Sequence, residues 1–263
     1  MDESPAPSPF ADAAAFYDRF RAPYAPGALE HVIAALGLDE GARVLDLGCG
    51  PGTIAIPPSR VVGEVVAVDP DAAMLAEGRR LAVEHGRANI RWIQARAEDV
   101  GMELGRFRAV TFGQSLHWTD RDRVLRQVAD LVEPGGGLAI LDEGRRRAPE
   151  SWFAVAAQLA ATYLGRRQRH PMKHPEIDHE PSLRRSSHFS QFEVREFPVE
   201  ITRDLTSILG CVYSSVQTTR PMFGDRAATF EAELSLALRR LNPSGVFRES
   251  LQTAVFIAPK AAA

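Results

Sequence analysis

The sequence predicts an α/β fold built on a doubly wound, mostly parallel sheet. Three observations support this prediction. Five short apolar segments alternate with helix-like segments between residues 40 and 142. The first apolar segment ends in a turn with three alternate glycines, and the second ends in an acid. Strands that alternate with helices in this way form parallel sheets with right-handed crossovers.

The composition of the whole chain is that of an ordinary globular protein. Its 263 residues suffice for one core, alone or with a smaller appendage. A net charge of −3 gives no reason to expect nucleic acid or an anionic membrane as a partner. The two cysteines, Cys49 and Cys211, provide no disulfide framework and no metal spacing. With no signal-peptide pattern and no run of 18 apolar residues, we expect a cytoplasmic protein without a membrane span.

Two helices are predicted before the first strand. The proline-rich stretch 1–9 is predicted to be a disordered tail. Alanines and aromatic residues over 11–20 predict a short helix, and the apolar spacing over 26–38 predicts a second helix that Gly37 ends.

A glycine-rich turn follows the first strand, 44–47, which carries one acid at Asp46. Glycines at positions 48, 50 and 52 allow the backbone to approach a ligand closely, because no Cβ blocks it and positive φ costs little. A helix that begins at Thr53 would present unpaired amides to that ligand. Pro57 and Pro58 should kink or shorten this helix, since proline removes a hydrogen bond and clashes with the previous turn.

The spacing of the turn distinguishes between two nucleotide ligands. A dinucleotide fingerprint would place its third glycine at position 53, where this chain has Thr53. A buried carboxylate at Asp46 would repel a pyrophosphate but would suit a ligand with an ammonium group. A plain glycine turn without a ligand is the alternative.

The second strand, 64–69, ends in Asp69, 21 positions after Gly48. A carboxylate at this point can accept both ribose hydroxyls of an adenosine. The alternative is that Asp69 caps the next helix, 71–84, although Asp71 could serve as the cap instead.

The later elements complete the alternating pattern. They are a strand over 89–94, a strand over 107–113, a helix over 120–131, a turn over 134–137 and a strand over 138–142. Ligands bind where the strand order reverses, so His117 and Trp118, which follow the fourth strand, should face the ligand. His117 could act as a base near pH 7, or it could simply bond to the backbone.

The segment Asp46-Leu-Gly-Cys-Gly-Pro-Gly resembles the first motif of the class I S-adenosylmethionine-dependent methyltransferases, and the resemblance covers residues 40–142. It implies a Rossmann-like, seven-stranded sheet of order 3-2-1-4-5-7-6, with an antiparallel edge and helical insertions near the C-terminus. It also implies S-adenosyl-L-methionine as the cofactor. The residues that it assigns to the cofactor site are Tyr17, Arg21, Asp46, Gly48, Cys49, Gly50, Asp69, Pro70, Met74, Ala97, Glu98 and Gln114.

The resemblance assigns these residues to different parts of the cofactor. Tyr17 and Arg21 would contact the methionine end, although this helix could also bury its aromatics and expose its arginines. Pro70 and Met74 would flank the adenine. Ala97 would offer its backbone, and Glu98 or Asp99 would offer a carboxylate, unless that acid only caps a turn.

The resemblance weakens after residue 142. Helices are predicted over 151–164, 204–216 and 225–241, and strands over 192–201 and 245–257. The basic, histidine-rich stretch 165–188 is predicted to be a solvated loop, with a lid for an anionic substrate as the alternative. We expect no metal site, because the histidines lack a ligand spacing. Tyr213, Ser214 and Phe223 would line a substrate pocket or belong to the core.

The predicted organisation is a tail over 1–9, helices over the cofactor at 10–40, a binding core at 41–143 and substrate-cap helices with the last strands at 144–263. The predicted activity is methyl transfer to an O, N or C nucleophile of a small molecule, which could be anionic. Two alternatives stay open: a cyclase or regulator that binds the cofactor without methylating, and an NAD-dependent oxidoreductase, which Thr53 and Asp46 disfavour. Nucleic acid is not expected as the acceptor.

Overall fold

The predicted alternation of strands and helices is present in the computed structural model, which describes residues 11–144, 151–165 and 179–261. The strands are β1 (Arg43–Leu47), β2 (Glu64–Asp69), β3 (Ile90–Gln94), β4 (Phe107–Gly113), β5 (Val132–Gly144), β6 (Glu193–Arg203) and β7 (Phe247–Pro259). The α-helices are α1 (Ala11–Phe20), α2 (Ala28–Ala35), α3 (Ala72–Glu84), α4 (Arg121–Leu131), α5 (Trp152–Tyr163), α6 (Glu180–Arg185), α7 (Leu205–Tyr213) and α8 (Ala227–Leu241).

The strands form one seven-stranded sheet in the order β3-β2-β1-β4-β5-β7-β6. β1 pairs in parallel with β2 and with β4, and β5 pairs antiparallel with β7. This confirms the predicted strand order and its antiparallel edge. The order reverses between β1 and β4, so the carboxyl ends of these two strands flank the switch point at which such folds bind ligands.

The chain divides into two compact units, each described separately. The sheet unit contains the described residues of 23–144, 176–199 and 252–263, and the helical unit contains those of 1–22, 145–175 and 200–251. The domain boundaries predicted at residues 40 and 143 stay a prediction.

Two local predictions need correction. The predicted turn at 134–137 lies inside β5. In the pairing of β4 with β5, Phe107 lies opposite Val132 and Ala109 lies opposite Gly137. The β5 residues between these two pairs therefore leave the regular register. The stretch 165–188, predicted to be a loop, contains the helix α6.

The helix predicted from Thr53, kinked or shortened by Pro57 and Pro58, is not formed. No α-helix follows the glycine turn: residues 51–57 form successive turns, and Pro58–Arg60 forms a short 3-10 helix. The next helix, α3, begins normally, because the Asp71 side chain accepts hydrogen bonds from the amides of Ala73 and Met74.

Apolar residues pack on both faces of the sheet in the sheet unit. One cluster joins Leu45, Val110 and Ile140 to Val128 of α4, and the other joins Val44 and Ala109 to Val32 of α2. In the helical unit, residues of α5, α7 and α8 share a third cluster. Tyr213 and Phe223 belong to this core and are 2% and 1% exposed.

Helix α3 packs unusually close to its neighbours at Gly78. A Cβ at this position would lie 2.5 Å from the Trp92 ring and 3.2 Å from the carbonyl carbon of Pro51 in the glycine turn. The absence of a side chain therefore lets a helix, a strand residue and the turn meet.

We expect Gly78→Ala to destabilise the protein by about 1–3 kcal/mol through overpacking, although alanine alone favours a helix by roughly 1 kcal/mol. Urea unfolding measures the change, and Ala76→Gly at an exposed position of the same helix calibrates the intrinsic preference. A Gly78→Ala variant more stable than the wild type would contradict the close packing.

Candidate functional site

The glycine turn lies at the carboxyl end of β1 and has left-handed backbone at Gly48 and Gly50, with φ of 68° and 53°. A Cβ on Gly48 would lie 2.4 Å from the Cβ of Ser115, so this glycine lets the loop after β4 pack on the turn. A Cβ on Gly50 would meet nothing within 4 Å. Gly50 therefore faces open space at the switch point.

The backbone amides of this turn already have acceptors within the protein. Gly48 and Cys49 both donate to the Val68 carbonyl, at 2.8 and 3.0 Å, and Gly52 donates to the Cys49 carbonyl at 2.9 Å. Gly50 donates to Asp69. The expectation that a helix end offers unpaired amides to a ligand is therefore wrong here, because the turn uses its own amides and no α-helix follows it.

Asp69 connects the end of β2 to the glycine turn. Its Oδ2 accepts the Gly50 amide at 2.8 Å, and its Oδ1 accepts the Asp71 amide at 2.9 Å. Burial raises the pKa of Asp69 and these two amides oppose the rise. Each oxygen of a carboxylate can accept more than one hydrogen bond, so both oxygens retain capacity for a ligand hydroxyl.

Asp46 is a buried acid with one oxygen unused. It is 1% exposed, and its Oδ1 accepts the Thr111 hydroxyl at 2.8 Å. Its Oδ2 has no hydrogen-bond partner among the described residues. Burial raises the pKa of Asp46 to about 7, and the nearby Asp69 adds to the rise. Burial and both acids also raise the pKa of the Cys49 thiol.

The loop after β4 is fixed by contacts that the sequence did not reveal. Ser115 donates its hydroxyl to the Leu47 carbonyl at 2.6 Å, and the Gln114 amide donates to the Leu141 carbonyl at 3.0 Å. Gln114 has φ of 53°, a conformation that a non-glycine residue rarely adopts, and such strain concentrates at functional sites. These contacts were only weakly indicated by the sequence. Thr111 is a polar residue within the apolar strand β4, and Ser115 is a polar residue just after it.

Tyr24 is a further residue at this edge that sequence reasoning missed. A Cβ on Gly113 would lie 2.5 Å from the Tyr24 hydroxyl and 2.6 Å from Ile54. The neighbouring Ala25 amide donates to Thr253 at 2.8 Å, which fixes this segment. The phenol therefore lies beside the end of β4, where a glycine leaves room for it.

Residues 44–136 match the family model of a methyltransferase domain. Over 111 residues the chain is 37% identical to the ubiquinone/menaquinone biosynthesis C-methyltransferase of Hahella chejuensis, covering 40% of this chain and 45% of that protein. Residues 44–136 therefore make up a class I S-adenosylmethionine-dependent methyltransferase domain. The match spans less than half of that relative's length.

Solved methyltransferase structures are similar in fold to this chain. The enzyme from Geobacter sulfurreducens in complex with S-adenosyl-L-homocysteine has a TM-score of 0.56 at 20% identity, covering 97% of this chain and 98% of that chain. The enzyme from Thiobacillus denitrificans, in complex with the same compound, has a TM-score of 0.55 at 20% identity, covering 95% and 97%. At these identities the likeness shows the fold alone.

The residues predicted to contact adenine follow two strands of the sheet. Pro70 and Met74 come after β2, and Ala97 comes after β3. Pro70 is exposed, and its carbonyl accepts Gln94 Nε2 at 3.2 Å. Met74 is 2% exposed, which also fits a core residue, and Ala97 is half-buried. Their contact with adenine stays a prediction.

The structure distinguishes the two acids that follow Ala97. Glu98 is buried and accepts the Asp120 amide at 3.1 Å, so it supports the start of α4, while Asp99 is exposed. Burial alone would raise the pKa of Glu98, but the amides and the charges of Arg96 and Arg123 outweigh it and lower the pKa. This structural partner favours the capping alternative for Glu98.

His117 lies in the 3-10 turn Leu116–Trp118 after β4, as the motif predicts. Its ring is half-buried, and the ring centroids of His117 and Trp118 are 5.1 Å apart. Trp118 is 57% exposed. The predicted role of His117 as a base stays a prediction.

Tyr17 and Arg21 belong to the helical unit. The Arg21 guanidinium lies 5.0 Å from the centre of the Tyr17 ring, and its Nη2 donates to the Ser214 carbonyl at 3.3 Å. Their predicted contact with the methionine end of the cofactor stays a prediction.

The basic stretch 165–188 is described only in part, and the predicted role of residues 166–178 lies outside the described residues. Arg184 and Arg185 are exposed and pair with Glu180 and Asp122. His179 corrects the prediction of a solvated loop, because it is fully buried and its Nε2 lies 2.5 Å from Asp142 Oδ2 at the end of β5.

The described ranges hold neither a metal cluster nor a membrane-spanning helix. Residues 11–144, 151–165 and 179–261 contain no group of three or more histidine, cysteine or acidic side chains placed to hold a metal ion. In the same ranges no helix is long and apolar enough to cross a membrane.

We expect Glu98→Ala to destabilise the domain by about 1–2 kcal/mol, because the Asp120 amide loses a charged acceptor. Asp99→Ala should change stability by less than about 0.5 kcal/mol. Because the folded-state pKa of Glu98 is lowered, its contribution is present above pH 4.5 and is lost as the pH falls through that lowered pKa. Urea unfolding of both variants at neutral and acidic pH tests this, and equal losses would contradict the assignment.

Proposed function

We propose that this protein transfers a methyl group from S-adenosylmethionine to an oxygen, nitrogen or carbon nucleophile of a small molecule, leaving S-adenosylhomocysteine. The observation that carries the proposal is the open space at Gly50, beside the two buried acids Asp46 and Asp69. The positive φ of Gly50 already explains the glycine, but the open space beside it lies at the switch point, where it leaves room for a ligand.

The residues at this edge fit the chemical groups of the cofactor. The unused oxygen of Asp46 can accept its ammonium group, and the remaining lone pairs of Asp69 can accept its ribose hydroxyls. The cofactor would lie along the turn, in contact with Gly48, Cys49 and Gly50. Pro70, Met74 and Ala97 would surround the adenine, and Gln114 would contact the cofactor from the loop after β4.

The protein's contribution to the reaction is alignment and the exclusion of water. Bound S-adenosylmethionine supplies an electrophilic methyl group on a sulfonium. Ser115 and Gln114 hold the loop after β4 against the glycine turn, which fixes the distance between the two sides of the site. The positive charge falls as the methyl group leaves, so an enclosed apolar acceptor pocket would favour the transition state. His117 would remove a proton where the acceptor carries one.

The class of acceptor rests on the relatives. The curated relative from Hahella chejuensis is described as a C-methyltransferase of ubiquinone and menaquinone biosynthesis. We propose a small-molecule acceptor for this chain as well, without extending the quinone to it, since specificity lies in the residues after 142 that the match does not cover. A cytoplasmic location and the exclusion of nucleic acid stay predictions.

Calorimetric titration should detect S-adenosylmethionine and S-adenosylhomocysteine binding in the micromolar range, about −8 kcal/mol. Asp69→Ala should weaken both by about 100-fold, because it removes the ribose acceptor and the support of the Gly50 amide. Asp99→Ala, at an exposed acid, is the matched control and should bind like the wild type. Absence of binding to the wild type would overturn the proposal.

Two further results would favour the alternative functions. Cofactor binding without S-adenosylhomocysteine formation from any compound of a broad acceptor panel would favour a cyclase or regulator. Tight NADH binding without affinity for S-adenosylmethionine would favour an oxidoreductase. Neither alternative has a specific feature of the structure in its favour.

With an acceptor in hand, His117→Ala should lower kcat about 100-fold or more and leave the Kd for S-adenosylmethionine unchanged, if methylation requires removal of a proton. The acidic limb of the pH–rate profile should disappear with the histidine, because that limb reports protonation of the base. His188→Ala, at an exposed histidine, is the control. An unchanged profile in His117→Ala would assign the base elsewhere.

A further inference from the structure

We propose that binding of S-adenosylmethionine releases a proton from Asp46, so that the site exchanges this proton for the ammonium group of the ligand. This inference rests on the proposed function and deepens it, because it makes cofactor affinity depend on pH. The argument begins with the geometry of Asp46 in the free protein.

The Asp46 carboxyl belongs to β1, just before the glycine turn, and is almost fully buried. It is 1% exposed, with Oδ1 on the Thr111 hydroxyl of β4. Its Oδ2 is buried, and in the part of the chain that the structure describes no donor meets it with hydrogen-bond geometry, although the Ala55 amide is near enough to lower the pKa of the carboxyl. A buried ionised oxygen without a partner is costly, so such a group takes up a proton instead.

The groups that face Asp46 favour the neutral form on balance. Burial is the largest influence and raises the pKa, and the charge of Asp69 on β2 raises it further. The Thr111 hydroxyl on β4 and the Ala55 amide after the turn oppose the rise, and the resulting pKa is about 7. The Cys49 thiol in the turn, with a raised pKa, adds no positive charge.

The charge of Arg79 acts on the neighbouring Cys49 thiol, but Arg79 does not pair with Asp46. Among residues 11–144, 151–165 and 179–261, Asp46 forms no salt bridge with an arginine, lysine or histidine. The free site therefore combines a carboxyl that titrates near neutrality with a free oxygen. An ammonium group at that oxygen would favour the charged carboxylate and lower its pKa.

The direction of the pH effect follows from this change. Below pH 7 the Asp46 carboxyl of the free protein holds a proton, whereas the carboxylate that contacts the ammonium group does not. Binding must therefore release this proton, and the affinity for S-adenosylmethionine falls as the pH falls. The ligand's own amino group loses its proton near pH 8, which weakens binding from the other side. We expect affinity to be roughly fivefold lower at pH 6.0 than at pH 7.4.

The test is titration calorimetry of the wild type with S-adenosylmethionine at pH 6.0 in buffers of different ionisation enthalpy, which counts the protons released. A pKa of about 7 predicts release of about 0.9 proton. S-adenosylhomocysteine, which keeps the ammonium group, should release the same number. 5′-Methylthioadenosine keeps the ribose but lacks the ammonium group, so it should bind without release.

Variants assign the proton to its residue. Asp46→Asn should bind with no proton release at pH 6.0 and no fall in affinity below pH 7, whereas Asp130→Asn, at an exposed acid, should behave like the wild type. If Asp46→Asn does not fold, Thr111→Val supplies the second test. Losing the hydroxyl that stabilises the charged carboxylate should increase the release at pH 7.4 relative to the wild type.

The outcomes separate this inference from the proposed function. Binding to the wild type without proton release would overturn the inference and leave the proposed function intact. Proton release with 5′-methylthioadenosine, or in Asp46→Asn, would assign the proton to another group such as Asp69 and also overturn it. No binding of S-adenosylmethionine at any pH would overturn the proposed function itself.

Discussion

The hydrogen bond from the Gly50 amide to Asp69 is the contact on which the arrangement of the site depends. It joins the turn after β1 to the end of β2, two strands that already pair in parallel. On the other side, the absence of a Cβ at Gly48 lets Ser115 reach the Leu47 carbonyl, which joins the same turn to β4. Three neighbouring strand ends are therefore held together by side chains that occupy the switch point.

This arrangement concentrates negative charge at two acids that form no salt bridge within the described part of the chain. Burial raises the pKa values of both Asp46 and Asp69, the charge of Asp69 raises that of Asp46 further, and the charge of Asp71 raises that of Asp69. Burying two acids is unfavourable for folding, so their presence at one edge requires another explanation. A ligand that brings a positive charge to one acid and hydroxyl donors to the other would relieve both costs at once.

Much of the sheet unit could be predicted from the sequence because its signals are local. The bounds of β2 and β4 agree with the prediction, since apolar runs between turns define buried strands well. The position of Asp69 was equally visible as an acid at a strand end. The two amides that bond to Asp69 could not be predicted, because these hydrogen bonds depend on how the turn folds back across β2.

The contacts that could not be predicted join residues far apart in the chain. Tyr24 lies beside Gly113, and Ser115 packs on Gly48, yet nothing in the spacing of these pairs marks a contact. His179 is buried against Asp142 although the surrounding sequence is basic and proline-bearing. The turn predicted at 134–137 lies inside β5 for a similar reason, because Val132 and Gly137 both pair with β4 and the residues between them leave the regular register without ending the strand. Tertiary pairing decides such positions, and local sequence does not record it.

The missing helix after the turn explains why the site depends on acids and not on amides. Sites for phosphate commonly use free amides at the start of a helix. Here residues 51–57 form turns up to the two prolines, Pro57 and Pro58, and the amides of Gly48, Cys49 and Gly50 are already bonded within the protein. A pyrophosphate would find no free donors along these residues and would face two buried carboxyls. A ligand with an ammonium group and no phosphate would meet acceptors instead, so the same local features that exclude a dinucleotide favour a sulfonium nucleoside.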